Sequence, residues 1–342
     1  MSKEWVRWFD DLDQGCNDLV GKKCANLGEM TRIGLRVPPG FALSLEAYKA
    51  FMSTTGAVRE IRDYLAKVDH AFETIDHFNK AGAELRRIVE SKEMPREMCD
   101  IILSRYRELC RKCDQEDMAV STRSAGAASH PGQYETYLNV RGESEVIENI
   151  KKVWSSTFNP RSLSARKRAG VPLETDPIGV AVLQMVNARA AGVLFTADPN
   201  TRDTTRMILE ANWGLGESVV GGETVPDTYV MDKESLEIIE RRLGTKSRYV
   251  AFREKGVEEI QTPEDKSCTF CLTDDEIIEI GRLGKVLEAH FNVPQDTEWA
   301  VDDDLDFPDN IILLQTRPEV IAKQKDPADK VIDLMLSRFI GR

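Results

Sequence analysis

Three adjoining segments constrain this chain most: Gln295-Asp-Thr-Glu-Trp-Ala-Val301, the acidic stretch Asp302–Asn310, and Ile311-Ile-Leu-Leu-Gln-Thr-Arg-Pro318. They read as two antiparallel strands closed by a turn. Side chains alternate faces along a strand, so Asp296, Glu298 and Ala300 share one face, and Gln315 and Arg317 share a face of the partner strand. A register that sets Val301 opposite Ile312 puts Glu298 against Gln315 and Asp296 against Arg317. That face offers carboxylate and amide oxygens suited to Mg²⁺, with a planar guanidinium beside them suited to phosphate. The ordinary alternative is a surface hairpin of solvated charges. The apolar run Ile311–Leu314 argues against it, because a buried strand rarely carries Gln and Arg without partners.

A chain of 342 residues can bury a large core and suits two or three lobes. Lys and Arg number 46 against 58 Asp and Glu, a net charge of −12, which argues against a general nucleic-acid binder, so any polyanion site must be local. No run approaches the roughly 20 apolar residues needed to cross a membrane, and the Met-Ser-Lys-Glu start has no signal-peptide core. The expected setting is cytoplasmic, where the seven cysteines stay reduced. Two Cys-x-x-Cys pairs, Cys110/Cys113 and Cys268/Cys271, stand much farther apart than the roughly 15–20 residues between halves of a zinc ribbon. The first pair continues a helical stripe of Cys99, Ile102, Leu103, Tyr106 and Leu109, which faces a core. The second lies just before a helix opened by the capping box Thr273-Asp-Asp-Glu276. Zinc is therefore disfavoured at both.

The pattern along the chain predicts an α+β fold with a helix-rich N-terminal part. Helices are expected over Leu45–Met52, Val58–Val68, Ala71–Glu90, Pro95–Cys113, Glu143–Ser155 and Thr273–Phe291. Strands are expected over Ala119–Thr122, Tyr137–Val140, Gly179–Met185, Ala191–Thr196 and Met207–Glu210, with a hairpin over Tyr229–Asp232 and Glu237–Arg241. A further strand is expected around Val37–Leu43. There is no regular βαβ alternation, which argues against a dinucleotide-binding sheet. The tail Asp326–Arg342 reads as a separate helix with Asp326 as its cap and Pro327 at its first position.

Four loop regions carry candidate chemistry. Val20-Gly-Lys-Lys-Cys-Ala-Asn-Leu-Gly-Glu-Met30 sets a glycine and two lysines before a helix, where backbone amides and a lysine together hold phosphate. It lacks the spacing of a P-loop. Ser121-Thr-Arg-Ser-Ala-Gly-Ala-Ala-Ser-His-Pro-Gly132 surrounds Arg123 with small residues that admit an anion to the backbone. His130 in this loop reads as structural. Ala191–Pro199 and Glu210–Ser218 each end a strand in a Gly- or Pro-marked turn and suit the walls of a nucleotide cleft.

Seven segments, Val20–Met30, Val120–Val140, Val182–Val186, Gly192–Pro199, Asn212–Gly222, Pro226–Lys233 and Gln295–Pro318, together resemble the N-terminal nucleotide-binding domain of the phosphoenolpyruvate synthase / pyruvate phosphate dikinase family, in the family's order. The resemblance runs from about residue 5 to 322. It implies an ATP-grasp-like fold over residues 1–324, with lobes of roughly 1–185 and 186–324 around an ATP cleft, followed by the helix 325–342. It also implies roles. Lys23, Arg123 and Arg317 stand where the family contacts ATP phosphates. Glu298 and Gln315 match its Mg²⁺-binding pair, with Mn²⁺ as the alternative ion. Gln184, Met185 and Val186 match the inter-lobe strand whose backbone reads adenine. Thr196 and Glu217 match further cleft positions. Lys22 departs from the pattern, since family members usually carry a second glycine there, and His130 is a second local divergence.

Family enzymes pyrophosphorylate a histidine on a separate domain and pass phosphate to an acceptor at a third. The histidines here are His70, His77, His130 and His290, and none lies in a Thr-x-Gly-Gly-x-x-x-His carrier motif. The resemblance therefore implies a partner, a larger subunit supplying the phosphohistidine and acceptor site. In this respect the chain is similar to the smaller ATP-binding subunit of split enzymes of the phenylphosphate synthase type. The alternatives are a component of a split phosphoenolpyruvate synthase or drug phosphotransferase, and a non-catalytic nucleotide-binding regulatory subunit. An apolar stripe of Val331, Leu334, Met335 and Phe339 on the tail suits either partner docking or packing on its own domain.

Overall fold

Two antiparallel sheets organise the computed structural model, which describes residues 4–68, 72, 74–126, 134–254 and 256–319. The expected tail helix and His70 and His130 lie outside the described residues. In chain order the strands are β1 (Val6–Trp8), β2 (Gly40–Leu43), β3 (Val120–Gly126), β4 (Thr136–Val140), β5 (Ile178–Gln184), β6 (Ala188–Phe195), β7 (Arg206–Trp213), β8 (Asp227–Asp232), β9 (Ile238–Arg242), β10 (Arg248–Phe252), β11 (Val257–Gln261), β12 (Gln295–Asp302) and β13 (Ile311–Pro318). The first sheet runs β1-β2-β5-β3-β4 and the second β13-β12-β6-β7-β8-β9, while β10 and β11 form a separate hairpin. The helices are α1 (Asn17–Val20), α2 (Lys22–Arg32), α3 (Leu45–Thr54), α4 (Ala57–Val68), α5 (Ile75–Glu90), α6 (Arg96–Lys112), α7 (Glu143–Ser155), α8 (Pro160–Ala169), α9 (Glu217–Val220), α10 (Glu264–Ser267) and α11 (Asp274–Phe291). The fold is α+β.

Strand alternation explains why the first sheet has two different sides. Phe41, Leu43, Val180 and Val182 enter one core with Tyr48, Ile61, Leu85, Ile102 and Trp154 of the surrounding helices. Trp154 stacks at 5.0 Å on Phe51 and edge-on at 6.1 Å to Tyr48. The intervening Ala42, Ala125, Ala181 and Leu183 enter a second core. The small side chains of Ala42, Ala125 and Ala181 let α1 and α2 lie close, so that Val20, Cys24, Leu27 and Met30 bridge to Leu194, Leu209, Trp299 and Val301 of the second sheet and to Ile280 and Leu287 of α11. Each such side chain, fully buried, contributes about 1.5–3 kcal/mol. Gly21 makes this approach feasible. Its φ is +82°, and a Cβ there would stand 1.9 Å from the Ala125 carbonyl oxygen.

The Thr273 capping box forms as expected, with the Glu276 amide donating to Thr273 Oγ1 at 3.3 Å and the Thr273 amide to Glu276 Oε2 at 2.9 Å. The terminal hairpin pairs Glu298 with Gln315 and Asp296 with Arg317. Beyond Glu298 the register departs from expectation: Val301 faces Ile311, not Ile312, because β13 carries an extra residue at a bulge opposite Glu298/Trp299. The larger elements not anticipated are α8 and the β10–β11 hairpin, and the short β1, α1, α9 and α10 were not anticipated either. That hairpin is tied to the second sheet by the Leu215 amide on the Val250 carbonyl at 2.8 Å. Its far end meets the first sheet, where buried Asn139 donates to the carbonyls of Arg253 and Gly256, both at 2.7 Å.

Candidate active site

A cleft of about 810 Å³ is lined by β3, β4 and β5 of the first sheet, β6, β12 and β13 of the second, and the first turn of α2. Among the residues singled out from the sequence, Lys23, Arg123, Gln184, Met185, Val186, Glu217, Glu298, Gln315 and Arg317 all line it. Thr196 is not brought there. It is buried, and its hydroxyl accepts from the Gln295 amide at 2.8 Å while its own amide donates to the Gln295 carbonyl at 2.9 Å.

The hairpin supplies the charged floor. Glu298 Oε2 accepts from Arg123 Nη2 at 2.6 Å, and Glu298 Oε1 accepts from Gln315 Nε2 at 3.0 Å. Asp296 Oδ2 accepts from Arg317 Nε at 2.7 Å and Nη2 at 2.6 Å. Burial raises both carboxyls, but around Glu298 the guanidinium of Arg123 and the ammonium of Lys23 prevail, and its carboxyl lies below the usual range. At Asp296 burial prevails over Arg317, and the carboxyl lies above its usual range. Glu217, on the opposite wall, is likewise raised by burial, with Arg123 opposing.

Lys23 closes the group from the start of α2. Its ammonium is pushed down to about 8, first by burial and then by Arg123, with Glu298 opposing. The residue is only partly buried and lines the cleft. No hydrogen bond or ion pair holds the ammonium among the described residues. Three cations, Lys23, Arg123 and Arg317, thus surround two carboxylates. Arg123 Nε and Gln315 Oε1 are buried without hydrogen-bond partners among the described residues. A surplus cation and unused donors at a helix N-terminus suit an anion.

The strand leaving β5 forms another wall. The amides of Gln184 and Met185 donate to the carbonyls of Pro39 and Ala119, both at 2.9 Å. The Val186 amide has no acceptor among the described residues, and so is the donor at this wall still available to a ligand. Sequence reasoning missed Asn26 and Val250 as cleft residues. Asn26 was legible in principle, since three residues along a helix return to the face of Lys23. Val250 was not, because its strand was itself missed.

Glu298 and Gln315 provide oxygen donors of the kind Mg²⁺ takes, and the unpartnered Gln315 Oε1 fits that use. Among the described residues no cluster of three or more His, Cys, Asp or Glu is placed to hold a metal. A Mg²⁺ ion held by two protein donors completes its shell with water and phosphate oxygens, which is its ordinary habit.

The family model described as pyruvate phosphate dikinase, AMP/ATP-binding domain, matches residues 17–337. The chain belongs to this family. It is an ATP-binding domain of the phosphoenolpyruvate synthase / pyruvate phosphate dikinase type. A probable phosphoenolpyruvate synthase of Methanocaldococcus jannaschii is 34% identical over 97% of the chain and 29% of the relative. Those of Staphylothermus marinus and Archaeoglobus fulgidus are 35% and 36% identical, over 97% and 96% of the chain and 43% of each relative. The dikinase-type domain thus spans less than half the length of these relatives. No helix among its described residues is long and apolar enough to cross a membrane.

Proposed function

We propose that this chain is the ATP-binding subunit of a split dikinase-type phosphotransferase, with Mg-ATP lying between lobes of roughly 1–185 and 186–324 in an ATP-grasp-like arrangement. The observation that carries the reading is the cluster of Lys23, Arg123 and Arg317 around Glu298 and Asp296, with one cation in excess and Gln315 Oε1 unpartnered. In this reading the three cations bind and neutralise the triphosphate. Glu298 and Gln315 are the residues that would hold Mg²⁺, which supplies charge neutralisation at the phosphate oxygens. The backbone at Gln184–Val186 receives the adenine edge, with the Val186 amide as donor, and Glu217 lines the opposite wall.

The chain's own work is positioning and electrostatic stabilisation. A histidine on a larger partner subunit attacks the β-phosphorus in line and AMP leaves. Water then removes one phosphate, and the remaining phosphoryl group passes to the acceptor on the partner. For a phenylphosphate synthase the sum is phenol, ATP and water giving phenylphosphate, AMP and phosphate. A second reading takes pyruvate as acceptor, favoured by the names of the relatives, and differs only on the partner's side.

The test is ATP consumption with AMP resolved from ADP, by the chain alone and with a histidine-bearing subunit plus phenol or pyruvate. The expected result is sustained AMP formation only when partner and acceptor are both present, and no more than about one AMP per partner histidine when the acceptor is left out. ADP released by the lone chain would remove the pyrophosphoryl-histidine mechanism.

A further inference from the structure

The two sheets are stitched together along the outer edge of β13. An edge strand presents backbone groups that no neighbouring strand pairs, and on β13 these are taken by groups from outside its sheet. The Leu313 amide donates to the Arg36 carbonyl at 2.9 Å, and the Leu314 carbonyl accepts from Arg123 Nη1 at 3.3 Å. The Thr316 carbonyl accepts from Asn26 Nδ2 at 2.8 Å. Asn26 is 7% exposed and also lines the cleft. It stands one helical turn beyond Lys23, on the same face of α2. Thr316 stands between Gln315 and Arg317. A single amide therefore joins the helix that carries the cleft lysine to the strand that carries the metal-binding candidate and an arginine. The other end of α2 is secured separately, through buried Glu29, which accepts from the Gln14 amide at 3.1 Å and meets His290 Nε2 at 2.6 Å.

We propose that Asn26 is a positioning residue for the phosphate site, fixing Lys23 relative to Gln315 and Arg317 so that the nucleotide affinity supplied by Lys23 depends on it. The inference rests on the reading of the cleft given above. A merely structural Asn26 would lower stability when removed and weaken binding, if at all, by the same factor with or without Lys23. A positioning Asn26 acts through Lys23, so the two losses are not additive. The ammonium of Lys23 faces Arg123 on β3, Glu298 on β12 and Arg317 on β13.

The experiment measures Mg-ATP binding by calorimetry for the full chain, Asn26→Ala, Lys23→Ala and the double variant, with thermal unfolding recorded for each. The expected result is about a tenfold loss for Asn26→Ala alone and less than about a twofold further loss in the Lys23→Ala background. Unchanged affinity in Asn26→Ala, or an equal loss in both backgrounds, overturns the inference while leaving the phosphate site intact. Full affinity in Lys23→Ala would instead overturn the phosphate-site reading, and this inference with it. Asn26→Ser, which keeps a donor on a shorter arm, goes through the same cycle under the same criteria and decides the matter if the alanine variant does not fold.

Discussion

Asp227 and Lys246 form an ion pair at 2.6 Å with both side chains fully buried, and every hydrogen-bonding need of the pair is met. Asp227 also accepts from the amides of Gly244 and Cys271, at 2.9 and 3.0 Å, and Lys246 donates to the carbonyls of Gly244 and Ser267, at 3.2 and 3.4 Å. The cleft cluster is built from the same kinds of group and is left unfinished. Lys23 has no hydrogen-bond or ion-pair partner among the described residues, Arg123 Nε and Gln315 Oε1 are unpaired there, and positive charge is in excess. Burying charge is tolerable only when it is compensated. In the first cluster the fold compensates it. In the second, among the described residues, it is left incomplete, which is the state an anion-binding site presents to its ligand. One cluster joins the second sheet to the segment before α11, and the other awaits a ligand.

The contrast breaks most sharply at Asp227. Replacing it by alanine leaves Lys246 buried and unpaired, and the unfolding free energy should fall by about 3–5 kcal/mol in denaturant titration. Arg317→Ala should do the reverse. AMP formation with the partner should drop by about 10²–10³-fold, as when one preorganised electrostatic donor is lost, while unfolding free energy changes by about 1 kcal/mol or less. Arg317 that proved as important to stability as Asp227 would erase the distinction.

A smaller effect separates the clusters by pH. The ammonium of Lys23 is lowered from 10.5 to about 8 in the folded chain, so its charged form opposes folding below that value. Between about 8 and 10.5 the unfolded chain binds more protons than the folded one, and this contribution to stability rises with pH. Lys23→Met should therefore stabilise the free chain at pH 7 by about 2 kcal/mol, allowing for partial exposure. The gain should shrink as pH rises through that window. Nucleotide affinity runs the other way, falling as pH passes about 8, because the neutral amine no longer attracts phosphate. Smallest is Thr196→Val. Its hydroxyl bonds the Gln295 amide inside the fold, so about 1–2 kcal/mol of stability should be lost with nucleotide affinity unchanged. A loss of affinity instead would return Thr196 to the cleft role that family resemblance implies.

Much of this was legible in the sequence where period and cap agree. Glu143–Ser155 is helical over the expected span, and the capping box at Thr273 formed. The pairing of Glu298 with Gln315 followed from alternation, whereas the bulge beside it did not, since alternation carries no sign of an extra residue. Strands β10 and β11 were hidden because Tyr249–Phe252 of β10 is a short continuous apolar run and β11 sets Glu258 and Glu259 side by side, so neither shows a period of two. Helix α8 is capped by Asn159, begins at Pro160 and ends at Gly170, all readable signals, but its polar face leaves little apolar stripe to prompt the search. Within the site, charged residues were found because charge in an apolar setting stands out. Asn26 was not, because its role depends on a strand 290 residues away.

The most direct test is thermal unfolding of the unaltered chain and Lys23→Met, each with and without saturating Mg-ATP at pH 7. The account predicts that the variant melts higher than the unaltered chain when both are free and gains little from nucleotide, whereas the unaltered chain gains several degrees. A variant that melts lower when free, yet is stabilised by Mg-ATP as fully as the unaltered chain, would contradict it.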